Sequence, residues 1–343
     1  MKRLNTDQPT TWHRGLRIDF ETHYYPKEFV SKLKERREFP RFSIDENGGL
    51  LLEYGENLKI PRQRLLAKFT DRQTRLNDME SAGIDLQVLS IPFPGVDKMD
   101  QKSAVDICRV ANEGIAEFCE SDSDKFVGFA LLPMQAGGEA VEELRRSVKD
   151  LGLKGAYVHS NTNGMFLDSK DYREVMIAAT KLGVPVFVHP TIPFVHDDMA
   201  RHRLAATFGI QADLSLSLLR LVLGSGLEEI PDLRLIVSHL GSMLSFISNI
   251  IDDEFEFARA PETKISMKPS EYIKRLYVDT VTMDIRPLEF AHQYFGSDHI
   301  VFGSDYPFWD SSKHVDAVLK SNLTDDQKED VFFRTASKLL NLA

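Results

Sequence analysis

Short apolar runs recur along the whole chain, and most are followed by a longer stretch in which apolar residues return at helical spacing between charges. The runs fall at 16–20, 86–91, 126–132, 155–159, 184–189, 233–238, 276–280 and 300–303. Short β-rich runs without polar alternation predict parallel strands covered on both faces. The intervening stretches, such as 138–151 and 172–182, predict amphipathic helices. Eight strand-like runs alternating with helices predict an α/β fold, a (β/α)8 TIM barrel with a small insertion after the first strand. An open, doubly wound sheet is the structural alternative. It requires a glycine-rich phosphate turn after the first strand, and Glu21-Thr22-His23-Tyr24-Tyr25-Pro26 offers none.

No repeat, low-complexity tract or linker divides the sequence, so residues 1–343 read as a single domain. The segment 35–68 fits the alternation poorly. Its Glu46-Asn47-Gly48-Gly49 is a turn signal between short candidate strands. It reads equally well as a lid over the barrel mouth and as a surface insertion without consequence.

Composition narrows the function classes. Hydrophobic residues make up 42% and charged residues 27% of the 343, ordinary values for a globular protein with a sizeable core. A net charge of -10 argues against a general nucleic-acid or anionic-membrane surface. Met1 to Trp12 is polar and lacks the apolar centre of a signal peptide, and no stretch is long and apolar enough for a transmembrane helix. Cys108 and Cys119 lie in one helical-looking segment and suggest neither a disulfide framework nor a thiolate metal site. The expected location is therefore the cytoplasm.

The informative feature is where ligand-type residues fall. Glu21 and His23 follow the first run, two residues apart, so both can face one side of an extended segment. His189 closes the fifth run, His239 the sixth and Asp305 the eighth. In a barrel enzyme the site lies at the C-terminal ends of the strands, where these distant residues would converge. A mixed set of imidazoles and carboxylates suits a divalent transition metal. Any one strand-terminal histidine is more often a satisfied structural residue, and Asp305 alone could be a helix cap. Their joint placement at strand ends decides for a site. His159 ends the fourth run and is as readily a substrate contact as a packed side chain, whereas His13, His196 and His202 read as surface or loop residues and His292, His299 and His314 have no strand-end placement on the catalytic side.

The strings Ile18-Asp19-Phe20-Glu21-Thr22-His23, Val186-Phe187-Val188-His189-Pro190, Ile236-Val237-Ser238-His239-Leu240-Gly241 and Val301-Phe302-Gly303-Ser304-Asp305-Tyr306-Pro307-Phe308 carry a resemblance. Together with Arg75-Leu76-Asn77-Asp78-Met79 they resemble the amidohydrolase superfamily, in the branch of α-amino-β-carboxymuconate-ε-semialdehyde and γ-resorcylate decarboxylases. The resemblance implies that Glu21, His23, His189 and Asp305 bind one divalent ion, zinc or manganese. It implies that His239 stands beside the metal as an acid/base or orienting residue. Many members have histidine where this chain has Glu21, and the Glu-x-His form is similar to the hydroxybenzoate-type enzymes. Those usually carry an acidic residue soon after the sixth-strand histidine, whereas Leu240-Gly241-Ser242-Met243 resembles the semialdehyde decarboxylase instead.

Two reactions fit these residues. The first is non-oxidative decarboxylation of a small aromatic or unsaturated carboxylic acid, with Asp305 or His239 handling the proton. The second is metal-assisted hydrolysis of a lactone or amide, with Asp305 as general base. A binding or scaffold protein is the non-enzymatic alternative, disfavoured because all five polar residues are present. Arg75, where the resemblance places a carboxylate-binding arginine, is the expected second anion anchor; its bland alternative is a helix-surface arginine paired with Asp71 or Asp78. Phe194 and Phe308, near the ligands, are expected to stack on a planar substrate, although either could be rim packing. The expected partners are a small carboxylate and a second copy of the chain, most simply in a symmetric dimer.

Overall fold

The computed structural model describes residues 15–46, 48–56, 58–61, 66–193, 199 and 201–342. In chain order the strands are β1 (Ile18–His23), β2 (Arg41–Ile44), β3 (Leu50–Gly55), β4 (Leu58–Pro61), β5 (Leu86–Ser90) and β6 (Phe126–Leu131). They continue as β7 (Gly155–His159), β8 (Asn161–Thr162), β9 (Met165–Phe166), β10 (Val186–His189), β11 (Leu235–Val237) and β12 (Tyr277–Val278). Seven of them form one sheet in the order β1-β5-β6-β7-β10-β11-β12, each parallel to its neighbour. The eighth predicted run, 300–303, makes isolated bridges rather than a full ladder, and these close the curl. Val301 N–H donates to the Val278 carbonyl at 2.9 Å, and Phe20 N–H to the Phe302 carbonyl at 2.7 Å. The predicted barrel is the fold observed.

Two apolar layers follow from the period-2 alternation of strands. Ile18, Phe20, Val88, Phe129, Tyr157, Phe187, Ile236 and Val301 form the inner cluster, sealed at its base by Ala336, Leu339 and Leu340. The larger outer cluster lies between the strands and the surrounding helices. Helix Gln101–Ser121 shows how such a helix is placed. Asp100 caps its start by accepting from Ser103 N–H, and its buried stripe includes Ala104, Ile107, Cys108, Ala111 and Ile115. Within that stripe Asn112 accepts from Leu131 N–H at 2.8 Å and donates to the Leu131 carbonyl at 2.9 Å, fixing the helix to the end of β6.

The poorly patterned segment contains a three-stranded antiparallel sheet, β2-β3-β4. Its Tyr54 is buried, with the ring centroid 4.4 Å from that of Phe93. Phe93 follows β5, so this sheet sits at the C-terminal end of the barrel strands, where the candidate residues also lie.

Candidate metal centre

The alternation that builds the inner apolar layer also aims the polar residues above it. Tyr157 and Phe187 point into the barrel, so His159 and His189, two positions further, do the same. β1 departs from this rule. Its pairing with β5 shifts register between Asp19 and Thr22, so the strand runs on to His23 rather than ending near Phe20. Glu21 and His23 face the mouth because of this irregularity. Gly303 allows the close approach there, since a Cβ on it would lie 3.0 Å from the Cβ atoms of both Glu21 and Asp279. His239 and Asp305 have φ of +56° and +57°, strained for residues other than glycine.

The structure brings four of the predicted residues together. One ligand atom from each of Glu21, His23, His189 and Asp305 lies within 4.8 Å of the others, and all four are buried. Their outer hydrogen bonds decide what they can hold. Ser90 donates its hydroxyl hydrogen to the Thr22 carbonyl, so its oxygen accepts from Nδ1 of His23 at 3.0 Å. The Pro190 carbonyl accepts from Nδ1 of His189 at 2.7 Å. With hydrogen on both Nδ1 atoms, each neutral ring turns a bare Nε2 lone pair inward. Burial keeps the rings neutral, lowering the pKa of His23 and pushing that of His189 down to about 3.

Those lone pairs face carboxylate oxygens. His23 Nε2 lies 2.8 Å from Asp305 Oδ1, and His189 Nε2 lies 3.2 Å from Glu21 Oε1. Neither oxygen of Glu21 has a hydrogen-bond partner, nor does His189 Nε2. Burial, and then the neighbouring Asp279 carboxylate, drive the Glu21 pKa well above its usual range. Acceptors gathered against acceptors in a buried site lack a positive charge, and a divalent cation supplies it. The residues fit a metal ion.

His239 stands beside this set, its ring centroid 5.9 Å from that of His189. Gln211 approaches its Nδ1 at 2.6 Å, and its Nε2 is buried without a partner. His159 lies on the other flank of His189, at 6.3 Å between centroids. Phe308 is half-buried, 5.6 Å from the His23 ring and 5.4 Å from Phe69. Phe194 lies outside the described residues, as do His13 and His196.

Arg75 is a correction. The expectation was a substrate-facing anion anchor or a surface helix residue, and it is neither. It is fully buried on helix Arg72–Ala82, donating to Gln87 Oε1 at 2.8 Å, to the Lys68 carbonyl at 3.1 Å and to the His23 carbonyl. Its guanidinium lies 4.8 Å from the Tyr306 ring centroid. Arg75 thus ties the end of β1 to the Asp305-bearing loop, and three of its donors are spent on the protein itself. Other residues passed unnoticed in the sequence: Asp279, Gln211, Asp97 and Tyr54. Asp279 left one signal, ending a strand-like run as Asp305 does. Gln211 and Asp97 belong to no strand end and left none.

The family's profile, described as amidohydrolase, matches residues 18–342. The chain belongs to the amidohydrolase family. Among amidohydrolase relatives, 2-amino-3-carboxymuconate-6-semialdehyde decarboxylase of Dictyostelium discoideum is 29% identical over 299 residues, covering 86% of this chain and 82% of that protein. Gamma-resorcylate decarboxylase of Rhizobium sp. (strain MTP-10005) is 30% identical over 290 residues, covering 80% of this chain and 87% of the relative. Dihydroxybenzoic acid decarboxylase from Polaromonas sp. JS666, solved with bound manganese and the inhibitor 2-nitroresorcinol, superposes with a TM-score of 0.81 at 24% identity. That superposition covers 95% of this amidohydrolase chain and 97% of the solved one. No helix among the described residues is long and apolar enough to cross a membrane.

Proposed function

We propose that this chain is a metal-dependent, non-oxidative decarboxylase of a small aromatic or unsaturated carboxylic acid of the hydroxybenzoate kind. The observation that carries the reading is the buried set of bare lone pairs and carboxylate oxygens converging from Glu21, His23, His189 and Asp305. These four residues would hold one divalent ion, zinc or manganese. When bound, such an ion neutralises and orients a carboxylate-bearing substrate.

The remaining work falls to the chain. Loss of CO2 leaves an electron pair on carbon, and that carbon must receive a proton. Asp305 turns the same oxygen, Oδ1, toward both His23 and His189, which leaves Oδ2 for a proton passed to or from the substrate. His239 supplies Nε2 beside it, and Gln211 holds that ring in place. His159 and Phe308 border the same space and act as substrate contacts. The β2-β3-β4 sheet serves as the roof, since Tyr54 packs from it onto Phe93, which follows β5. The exposed Phe246, Ile250 and Phe290 support assembly with a second copy, and the protein acts in the cytoplasm.

The test is CO2 release from metal-loaded protein over hydroxybenzoates and related unsaturated acids, with product identification. Release of CO2 and the decarboxylated product from at least one acid is expected. Water-consuming cleavage of a lactone or amide, without gas from any acid, would overturn the assignment in favour of hydrolysis.

A further inference from the structure

Two imidazoles flank His189, and their surroundings prepare them for opposite hydrogen-bonding roles. On one side His239 receives an amide at Nδ1. On the other, His159 Nδ1 lies 3.1 Å from Oδ1 and 3.0 Å from Oδ2 of Asp97. Asp97 is itself fixed, accepting from Thr191 Oγ1 at 3.2 Å. His159 and Asp97 are 2% and 6% exposed, so this is a buried carboxylate–imidazole pair rather than a surface contact.

The orientation of the ring leaves one edge free. Its Nδ1 faces Asp97. Gly95 packs against Cε1 so closely that a Cβ there would sit 2.6 Å away, with φ of +53° favouring glycine as well. The Tyr172 hydroxyl holds the His159 carbonyl at 2.9 Å, fixing the backbone. Only Nε2 lacks a partner, and it is buried. His159 pairs in register with His189 across adjacent strands, so this edge belongs to the same layer as the metal-binding residues. A carboxylate accepting Nδ1–H keeps the hydrogen on Nδ1 and enriches Nε2 as an acceptor.

We propose that the Asp97–His159 pair recognises a hydroxyl group on the substrate, with His159 Nε2 accepting its hydrogen, and so selects hydroxylated acids over their unsubstituted counterparts. This specificity role rests on the decarboxylase reading, and it fills the second polar contact that Arg75 does not make. Asp97 and Thr191 are positioning residues, for they act through His159. Replacing Asp97 by asparagine keeps the shape but offers an amide N–H to Nδ1. The hydrogen of His159 then moves to Nε2, turning an acceptor into a donor.

The experiment measures binding of benzoate, 2-hydroxybenzoate and 2,6-dihydroxybenzoate to the metal-loaded protein by calorimetry, alongside metal content per chain. Wild type, Asp97→Asn and His159→Gln are compared. Any preference for hydroxyls arising at the metal is common to all three proteins. In wild type each added hydroxyl is expected to tighten binding, and both variants should lose about tenfold of that preference while keeping their metal, as for one hydrogen bond. Variants with the wild-type preference, or a wild type that binds all three acids equally, would overturn the proposal. The second outcome needs no variant to fold. The two readings separate in the data. CO2 release without hydroxyl preference removes this proposal alone, and hydroxyl preference lost in the variants without CO2 release from any acid removes the decarboxylase reading alone.

Discussion

Replacing Arg75 by methionine separates the structural account of that residue from the anion anchor expected of it. Methionine retains much of the buried volume, so the loss is mainly one of hydrogen bonds. Three acceptors lose their donor at once: the His23 carbonyl, the Lys68 carbonyl and Gln87 Oε1. An abandoned buried acceptor costs about 1–3 kcal/mol, so the two buried ones together with the half-buried Lys68 carbonyl give about 3 kcal/mol even toward the low end. The lost contact with the Tyr306 ring adds to this. For a chain of this size each kcal/mol lowers Tm by about 2 °C, so a fall of about 6 °C is expected in thermal unfolding. Metal affinity should fall with it, because the released carbonyl belongs to His23, one of the four residues that could hold the ion. Arg75→Lys should rescue little, since one ammonium cannot span three acceptors or stack on the ring. A variant with unchanged Tm and metal affinity but a raised KM for carboxylates would refute this reasoning and restore the substrate-facing role.

Glu21→Gln should act in opposite directions on the two forms of the protein. It removes one carboxylate from a site where Asp279 and Asp305 already repel it, so the metal-free form should melt higher, while metal affinity drops at least tenfold; a lower metal-free Tm would count against the crowding of charge. Asp19 is buried beneath the site, and burial pushes its pKa up to about 7 despite hydrogen bonds from Ser304. The folded state therefore holds a proton that the unfolded chain releases near pH 4, so this contribution to stability is full below about pH 4 and lost as pH rises through about 7. In metal-free protein Asp19→Asn should flatten the decline of Tm across that window, and a slope identical to wild type would show that Asp19 does not titrate there.

The barrel was legible because burial on both faces writes itself into the sequence as short apolar runs, and because strand alternation ties His159 and His189 to the apolar Tyr157 and Phe187 two positions before. What alternation cannot reveal is an irregularity in it. The register shift in β1 that turns Glu21 and His23 inward leaves no mark beyond the residues themselves. Arg75 was misjudged because a helical arginine near acidic residues looks the same whether its stem leads to solvent or to a carbonyl across the chain. Asp97 and Gln211 act at distances of 62 and 28 residues from the histidines they orient, and no local pattern announces such pairs. The sheet at 41–61 was visible only as a turn signal; its place at the C-terminal end of the barrel strands depends on Tyr54 meeting Phe93, a contact between segments 39 residues apart in number.

Elemental analysis of the purified protein beside His189→Ala and His239→Ala tests the central claim most directly. Wild type and His239→Ala should each carry about one divalent ion per chain, with His239→Ala losing most activity, and His189→Ala should carry almost none. Full metal in His189→Ala together with its loss in His239→Ala would contradict the assignment of Glu21, His23, His189 and Asp305 as the residues that hold the ion.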